Sequence, residues 1–226
     1  KYVLQVSPSV MSTELMSAFS LNGEGLGNLA AMYFYAYLVA QLFAGPLLDR
    51  YNPKVLTSLA ILVCACGAYL FAGATHLWVA DVARALIGVG AAFATISYMK
   101  MAAIWFKPEQ FAFVGGLLTV GVMLGAMLGQ APLSILVHLD GWRHSIDDLA
   151  WVGVVIAVLF FVCVKTKTST EQKSKIHFSL DKIMVMLKDT HNWWLTAYSG
   201  LAFAPLAVFG GLWGTSFIRA AYHLSP

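Results

Sequence analysis

Gly45-Pro46-Leu47-Leu48-Asp49-Arg50-Tyr51-Asn52-Pro53-Lys54 is the first strongly polar break after a long apolar run, and a second long apolar run starts directly after it. Two membrane helices joined by so short a polar turn are neighbours and antiparallel. Gly45 permits close approach of another helix, Asp49 can face the N-terminus of a following helix, and Pro53 suits a first helical turn. Arg50 and Lys54 mark the side of the membrane that retains positive charge.

The composition around this loop excludes a soluble domain. Of 226 residues, 59% are hydrophobic and only 11% charged, with a mean hydropathy of +0.73. Soluble domains carry about 25% charged residues. Together with apolar runs longer than ~18 residues, this deficit reads as a polytopic helical membrane protein. The net charge of +3 is small, and no basic patch suited to nucleic acid is present. Cys64, Cys66 and Cys163 all lie inside apolar runs and form no CxxC pair.

The apolar segments follow in order. Lys1 to Met11 is too short to cross a bilayer, which takes ~20 residues. Ser12 to Glu24 reads as a polar outer connection. Complete spans are expected at 25–48, 54–74, 77–106, 110–139, 149–164 and 192–222, the last broken by Pro205 and by Gly210-Gly211. Thr75-His76 and Lys107-Pro108-Glu109 are turns, and 140–144 closes an outer loop. Within the long polar segment 165–190, Leu180, Ile183, Met184 and Leu187 follow Ser179 at helical spacing, which predicts an amphipathic helix on the membrane surface. Charge sets the orientation. Nine basic residues (Arg50, Lys54, Lys107, Lys165, Lys167, Lys173, Lys175, Lys182 and Lys188) fall on one side and three (Lys1, Arg143 and Arg219) on the other. The loops 49–54, 107–109 and 165–190 are therefore expected in the cytoplasm.

The loop that opens this description resembles the G-x-L-x-D-R-x-G-R-K signature of the major facilitator superfamily, between its second and third helices. Gly45, Asp49, Arg50 and Lys54 match it; Asn52 stands where that family prefers Gly, and Pro53 where it prefers Arg. Asp81 to Gly90 holds a second likeness, R-x-x-x-G-x-G, with Arg84, Gly88 and Gly90. The resemblance covers almost the whole chain. It implies an all-α, polytopic membrane helical bundle with about six complete transmembrane helices plus a partial first helix. The domains it implies are an N-terminal bundle over 1–164, a cytoplasmic linker over 165–190, and a seventh helix over 191–226 that starts the C-terminal bundle. Val6 to Met11 looks like the outer end of the first helix, and the chain is expected to be part of a protein about twice as long. The implied function is secondary active transport by alternating access rather than enzyme catalysis, in a bacterial inner (cell) membrane. The expected partners are a small solute, a co-transported proton, the bilayer and the C-terminal bundle of the same protein.

Arg84 is the most informative residue, because a charge inside a span costs ~2.5–3.5 kcal/mol on insertion scales and must face water or a partner. Asp81, one turn away, can pair with it, so a helix-holding ion pair and a solute or gating role both remain open. Gly88, Ala91, Thr95 and Tyr98 share its side of the helix. Lys100 points nearly opposite and can snorkel to the headgroups. Tyr33, Tyr37 and Gln41 share one face of the preceding helix, suited either to a polar solute or to packing. The resemblance places Arg84, Tyr33, Tyr37, Gln41, Thr95, Tyr98 and Gln5 at the solute, with Asp49, Arg50 and Asp81 in gating. Gly121, Gly125 and Gly129 form a packing stripe. The family's antiporter signature needs a Gly-Pro pair in this helix, whereas Pro132 follows Ala131. Met123 and Met127 could hold a soft metal such as Cu(I), although methionine pairs in apolar helices mostly pack. The positive character of the span favours an anionic or zwitterionic metabolite; a copper permease and a non-transporting scaffold are the alternatives. No cofactor or enzyme constellation is seen.

Overall fold

The computed structural model describes residues 1–164, 188–205, 208–209 and 214–222. Among these the regular structure is helical: α1 (Tyr2–Val10), α2 (Ser12–Phe19), α3 (Gly23–Arg50), α4 (Pro53–Ala72), α5 (Leu77–Trp105), a 3₁₀ turn (Pro108–Gln110), α6 (Phe111–Leu128), α7 (Ala131–Asp140), α8 (Trp142–Cys163), α9 (Thr190–Pro205) and α10 (Gly214–Tyr222). Five stretches of the described residues are long and apolar enough to cross a membrane: α3, α4, α5, Pro108–Asp140 and α8. The chain divides into two units, 1–168 and 169–226. The first contains α1 to α8. In the second, Phe209 and Phe217 meet edge to face with centroids 5.8 Å apart. The expected span 192–222 is represented by α9 and α10, and α9 ends at Pro205. The expected amphipathic helix around 179–187 lies outside the described residues.

The α3–α4 turn forms for local reasons. The Asn52 side chain accepts from the Lys54 amide at 3.0 Å, and Pro53, which has no amide hydrogen to satisfy, occupies the first helical position. The two positions that depart from the family pattern are thus the start signal of α4. At the other end of α3, Asn22 accepts from the Gly25 amide at 2.8 Å. α5 packs against both α3 and α4, and α4 packs against α8. The buried faces of α4 and α5 are mostly Ala, Gly and Ser. Hydrocarbon gives helices little hydrophobic reason to associate, so close backbone approach supplies the attraction through dispersion. A methyl group on Gly88 would collide with the Tyr33 carbonyl of α3, so this crossing tolerates glycine alone. Large apolar residues such as Leu38, Leu42, Leu159 and Val162 are left on the outside, where lipid rather than water is the solvent.

Three boundaries differ from expectation. The segment after Met11 is helical: α2 has Leu15 fully buried on one side and Glu14 in its first turn, so its polar residues form one face of a helix rather than a loop. The span 110–139 is interrupted at Gly129-Gln130, where Gln130 takes φ −104° and ψ −96° and Pro132 starts α7. Two of the three glycines of the stripe pack against α1: a methyl on Gly129 would lie 2.5 Å from a Val6 methyl carbon and one on Gly125 3.1 Å from Tyr2 Cβ, while Gly121 faces open space. Finally, α8 starts at Trp142 rather than Leu149. Gly141, at φ +82°, reverses the chain in one residue, and Ser145 Oγ donates to its carbonyl at 2.9 Å, which lets Arg143, His144, Asp147 and Asp148 join the helix.

Candidate functional site

Arg84 lies in the middle of the first unit with 0% of its surface exposed. Nη1 donates to the Leu4 carbonyl of α1 at 2.7 Å, and the guanidinium carbon sits 5.2 Å from the Tyr33 ring centroid. Among the described residues, none accepts from Nε or Nη2. Arginine keeps its charge, so this burial leaves a cation compensated by one carbonyl dipole and one ring face. The Asp81–Arg84 ion pair, one of the two readings left open by the sequence, is not formed: among the described residues the ion pair present is Lys100–Asp49. The carbonyl and the ring meet the guanidinium in the buried seam, whereas Asp81 sits at the partly exposed outer end of α5.

Around Arg84 the helices place a chain of polar groups. The Tyr33 hydroxyl donates to Gln5 Oε1 at 3.4 Å, and the Tyr33 and Tyr37 rings stack with centroids 5.9 Å apart. The Lys1 ammonium lies 3.4 Å from the Tyr37 hydroxyl and 3.3 Å from Thr95 Oγ1. Lys1 is therefore inside the bundle rather than on the outer side where the charge count put it. Positions 1, 4, 5 and 8 of α1 share one helical face, and α1 brings Lys1, the Leu4 carbonyl and Gln5 to α3 and α5. Of the expected site residues, the structure joins Arg84, Tyr33 and Gln5 in one cluster and Tyr37 with Thr95 in the next. Gln41 is exposed and apart from both. The Tyr98 hydroxyl donates to the Val114 carbonyl of α6 at 2.8 Å, which ties α5 to α6. A cavity of about 440 Å³ extends from this cluster toward the start of α4, lined by Lys1, Leu4, Thr57, Cys64, Ser97 and Tyr98 among others.

At the α3–α4 turn, Lys100 Nζ pairs with Asp49 Oδ1 at 2.7 Å and also donates to the Leu48 carbonyl. Lys100 therefore clamps the end of α3 to the end of α5, in place of the expected snorkelling. Arg50 is exposed, its guanidinium 5.9 Å from the Tyr51 ring centroid. Met123 and Met127 are both exposed on α6, and the described residues contain no cluster of three or more His, Cys, Asp or Glu that could hold a metal ion.

Sequence reasoning missed the part played by the α1 backbone. The signal was Pro8 in the short apolar segment: a helical proline leaves a carbonyl four residues earlier without its usual donor, and that carbonyl is Leu4.

The chain has relatives among known proteins. It is 24% identical to the hexuronate transporter of Bacillus subtilis (strain 168), over 96% of this chain and 53% of that protein. It is 23% identical to the probable L-galactonate transporter of Escherichia coli (strain K12), over 75% of this chain and 38% of that protein. It is 24% identical to the class H tetracycline resistance protein of Pasteurella multocida, over 87% of this chain and 49% of that protein. The chain thus spans about half the length, or less, of these curated relatives. The family model of the Major Facilitator Superfamily matches residues 3–225. A helical bundle with membrane-crossing helices, the α3–α4 signature loop and this match together show that the chain is an integral membrane protein belonging to the Major Facilitator Superfamily.

Proposed function

We propose that this chain forms the first bundle of a secondary active transporter that moves a small organic anion across a bacterial cell membrane by alternating access. The observation that carries the reading is Arg84, a fully buried cation with two guanidinium nitrogens, Nε and Nη2, that have no acceptor among the described residues. Such a cation in hydrocarbon is costly unless something negative or polar shares it, and a carboxylate can take two parallel N–H bonds from one arginine face. Tyr33 and Gln5, which hydrogen-bond each other beside it, supply donors and acceptors for hydroxyl groups of a sugar acid. Two relatives whose names specify hexuronate and L-galactonate fit that chemistry. The tetracycline relative is matched at the same level of identity; the buried cation supports an anion. Tyr37, Thr95 and Lys1 form the second tier of the path. Asp49, Arg50 and Asp81 take the gating roles, Asp49 facing the second bundle at the cytoplasmic surface. Coupling to an inward-moving proton completes the reading as a symporter.

The test is uptake of radiolabelled D-glucuronate by the full-length protein in proteoliposomes, with and without an inward proton gradient. Saturable uptake, driven by the gradient and competed by D-galacturonate and D-gluconate but not by D-glucose, is the expected result. Equal competition by glucose, or no uptake of any acid, would overturn it.

A further inference from the structure

Arg84 cannot be reached while α1 covers it, and the contact α1 makes with the guanidinium itself is a single carbonyl. The carbonyl of Leu4 would, in a regular helix, accept from the amide of residue 8. Residue 8 is proline, fully buried and without an amide hydrogen. The lone pair left over is taken by Arg84 Nη1 at 2.7 Å, and the Ser7 hydroxyl donates to the same oxygen at 3.1 Å. The α1 segment stays helical through this gap, Tyr2 to Val10, so the proline changes the hydrogen bonding of Leu4 without ending the helix.

We infer that Pro8 is a positioning residue for solute binding: by withholding an amide from Leu4 it makes that carbonyl an internal stand-in for the solute anion on Arg84. The inference rests on the organic-anion reading. An arriving carboxylate is a stronger acceptor for a guanidinium than a neutral carbonyl and holds two of its nitrogens at once, so it competes with Leu4 for the guanidinium, pairing Nη2 with Nε or with Nη1. Loss of the Leu4 contact removes the bond between α1 and Arg84 of α5 and leaves the Lys1–Thr95 contact, which couples occupancy of Arg84 to the hold on the first helix. In the empty protein the carbonyl shields the buried charge, and the solute must compete with it. Ser7 acts in the opposite sense to Pro8's neighbourless gap: its hydroxyl also satisfies the Leu4 oxygen, and so weakens that oxygen's hold on Arg84.

Two variants separate this from a merely structural proline. Pro8→Ala restores an amide to the Leu4 carbonyl and loosens it from Arg84, so the Kd for D-glucuronate, measured by calorimetry on the full-length protein, should fall several-fold. Ser7→Ala leaves Arg84 as the carbonyl's main donor, so the Kd should rise. Changes of the same sign, or no change in either variant, would overturn the inference. A ligand-free measurement guards against a wrong solute: the loss of melting temperature caused by Arg84→Gln should be smaller in the Pro8→Ala background than in the wild type. Full additivity in that cycle refutes the Leu4–Pro8–Arg84 link whatever the solute. A coupled cycle with no glucuronate binding in the wild type refutes only the solute class.

Discussion

Replacing Asp49 by Asn keeps the shape of the side chain at the α3–α4 turn and removes its charge. The magnitude follows from the environment of the pair. Lys100 Nζ and Asp49 Oδ1 are 2.7 Å apart, but the two side chains are 25% and 45% exposed. Water and salt therefore screen the attraction, and exposed pairs of this kind are worth about 0.2–1 kcal/mol. Lys100 also retains the Leu48 carbonyl, so α3 and α5 stay joined. The pair alone should then shift any two-state ratio by no more than about fivefold, since 1.4 kcal/mol corresponds to a factor of ten. If Asp49 also faces the second bundle when the cytoplasmic side is closed, Asn must destabilise that state beyond the loss of the pair. A double-mutant cycle distinguishes the two contributions. Asp49→Asn is combined with Lys100→Met in the full-length protein, and cysteine labelling of the inner and outer vestibules reports the state ratio. The expected result is a shift toward inward-open for Asp49→Asn that persists in the Lys100→Met background, with solute selectivity unchanged. Disappearance of the shift in that background would refute the gating role and leave Asp49 as a partner of Lys100 alone. A changed order of solute preference would refute the placement of Asp49 away from the site.

Three further outcomes are expected. Gly88→Val should lower the melting temperature, because overpacking costs about 1–3 kcal/mol and even one methyl group there collides with the Tyr33 carbonyl; an unchanged melting curve would mean that α3 and α5 do not cross so closely. Tyr98→Phe removes the donor to the buried Val114 carbonyl and should cost about 1–3 kcal/mol of stability with solute Kd unchanged, measured by denaturant melting and calorimetry. Met123→Leu with Met127→Leu conserves volume at two exposed positions, so uptake should stay near wild type; lost uptake together with copper bound by the unmodified protein would restore the metal reading.

Much of the bundle was legible because membrane helices announce themselves by length and apolarity, and because Asn52-Pro53 is a start signal that works locally. The boundaries that escaped were those set by a single residue's backbone. Gly141 turns the chain at positive φ, which let α8 absorb polar residues that composition assigns to a loop. The interruption at Gly129-Gln130 comes just before Pro132, which cannot donate to the carbonyl four residues earlier, and α1 lies against Gly129 there, a contact that no local pattern contains. At the site, Arg84 and Tyr33 were readable because a charge and a ring inside a span need partners. The partner itself was not: adjacency in sequence favoured Asp81, whereas the acceptor is the backbone of Leu4, eighty residues away. Side-chain patterns cannot display a backbone acceptor unless a proline marks where it has been freed. Lys100 was misjudged for a related reason, since its angle on the helix was correct and the position of the end of α3 beside it was not known.

The central claim is that the buried guanidinium of Arg84 binds the negative charge of the solute. The most direct measurement is D-glucuronate binding by calorimetry to the full-length protein, comparing wild type with Arg84→Lys and Arg84→Gln. Charge-assisted hydrogen bonds contribute about 1.5–3 kcal/mol, or roughly 10- to 150-fold in Kd. Arg84→Gln should weaken binding by that factor, and Arg84→Lys, which keeps the charge but loses the planar fork, should fall between. A Kd within twofold of wild type in a folded, membrane-inserted Arg84→Gln protein would contradict the account.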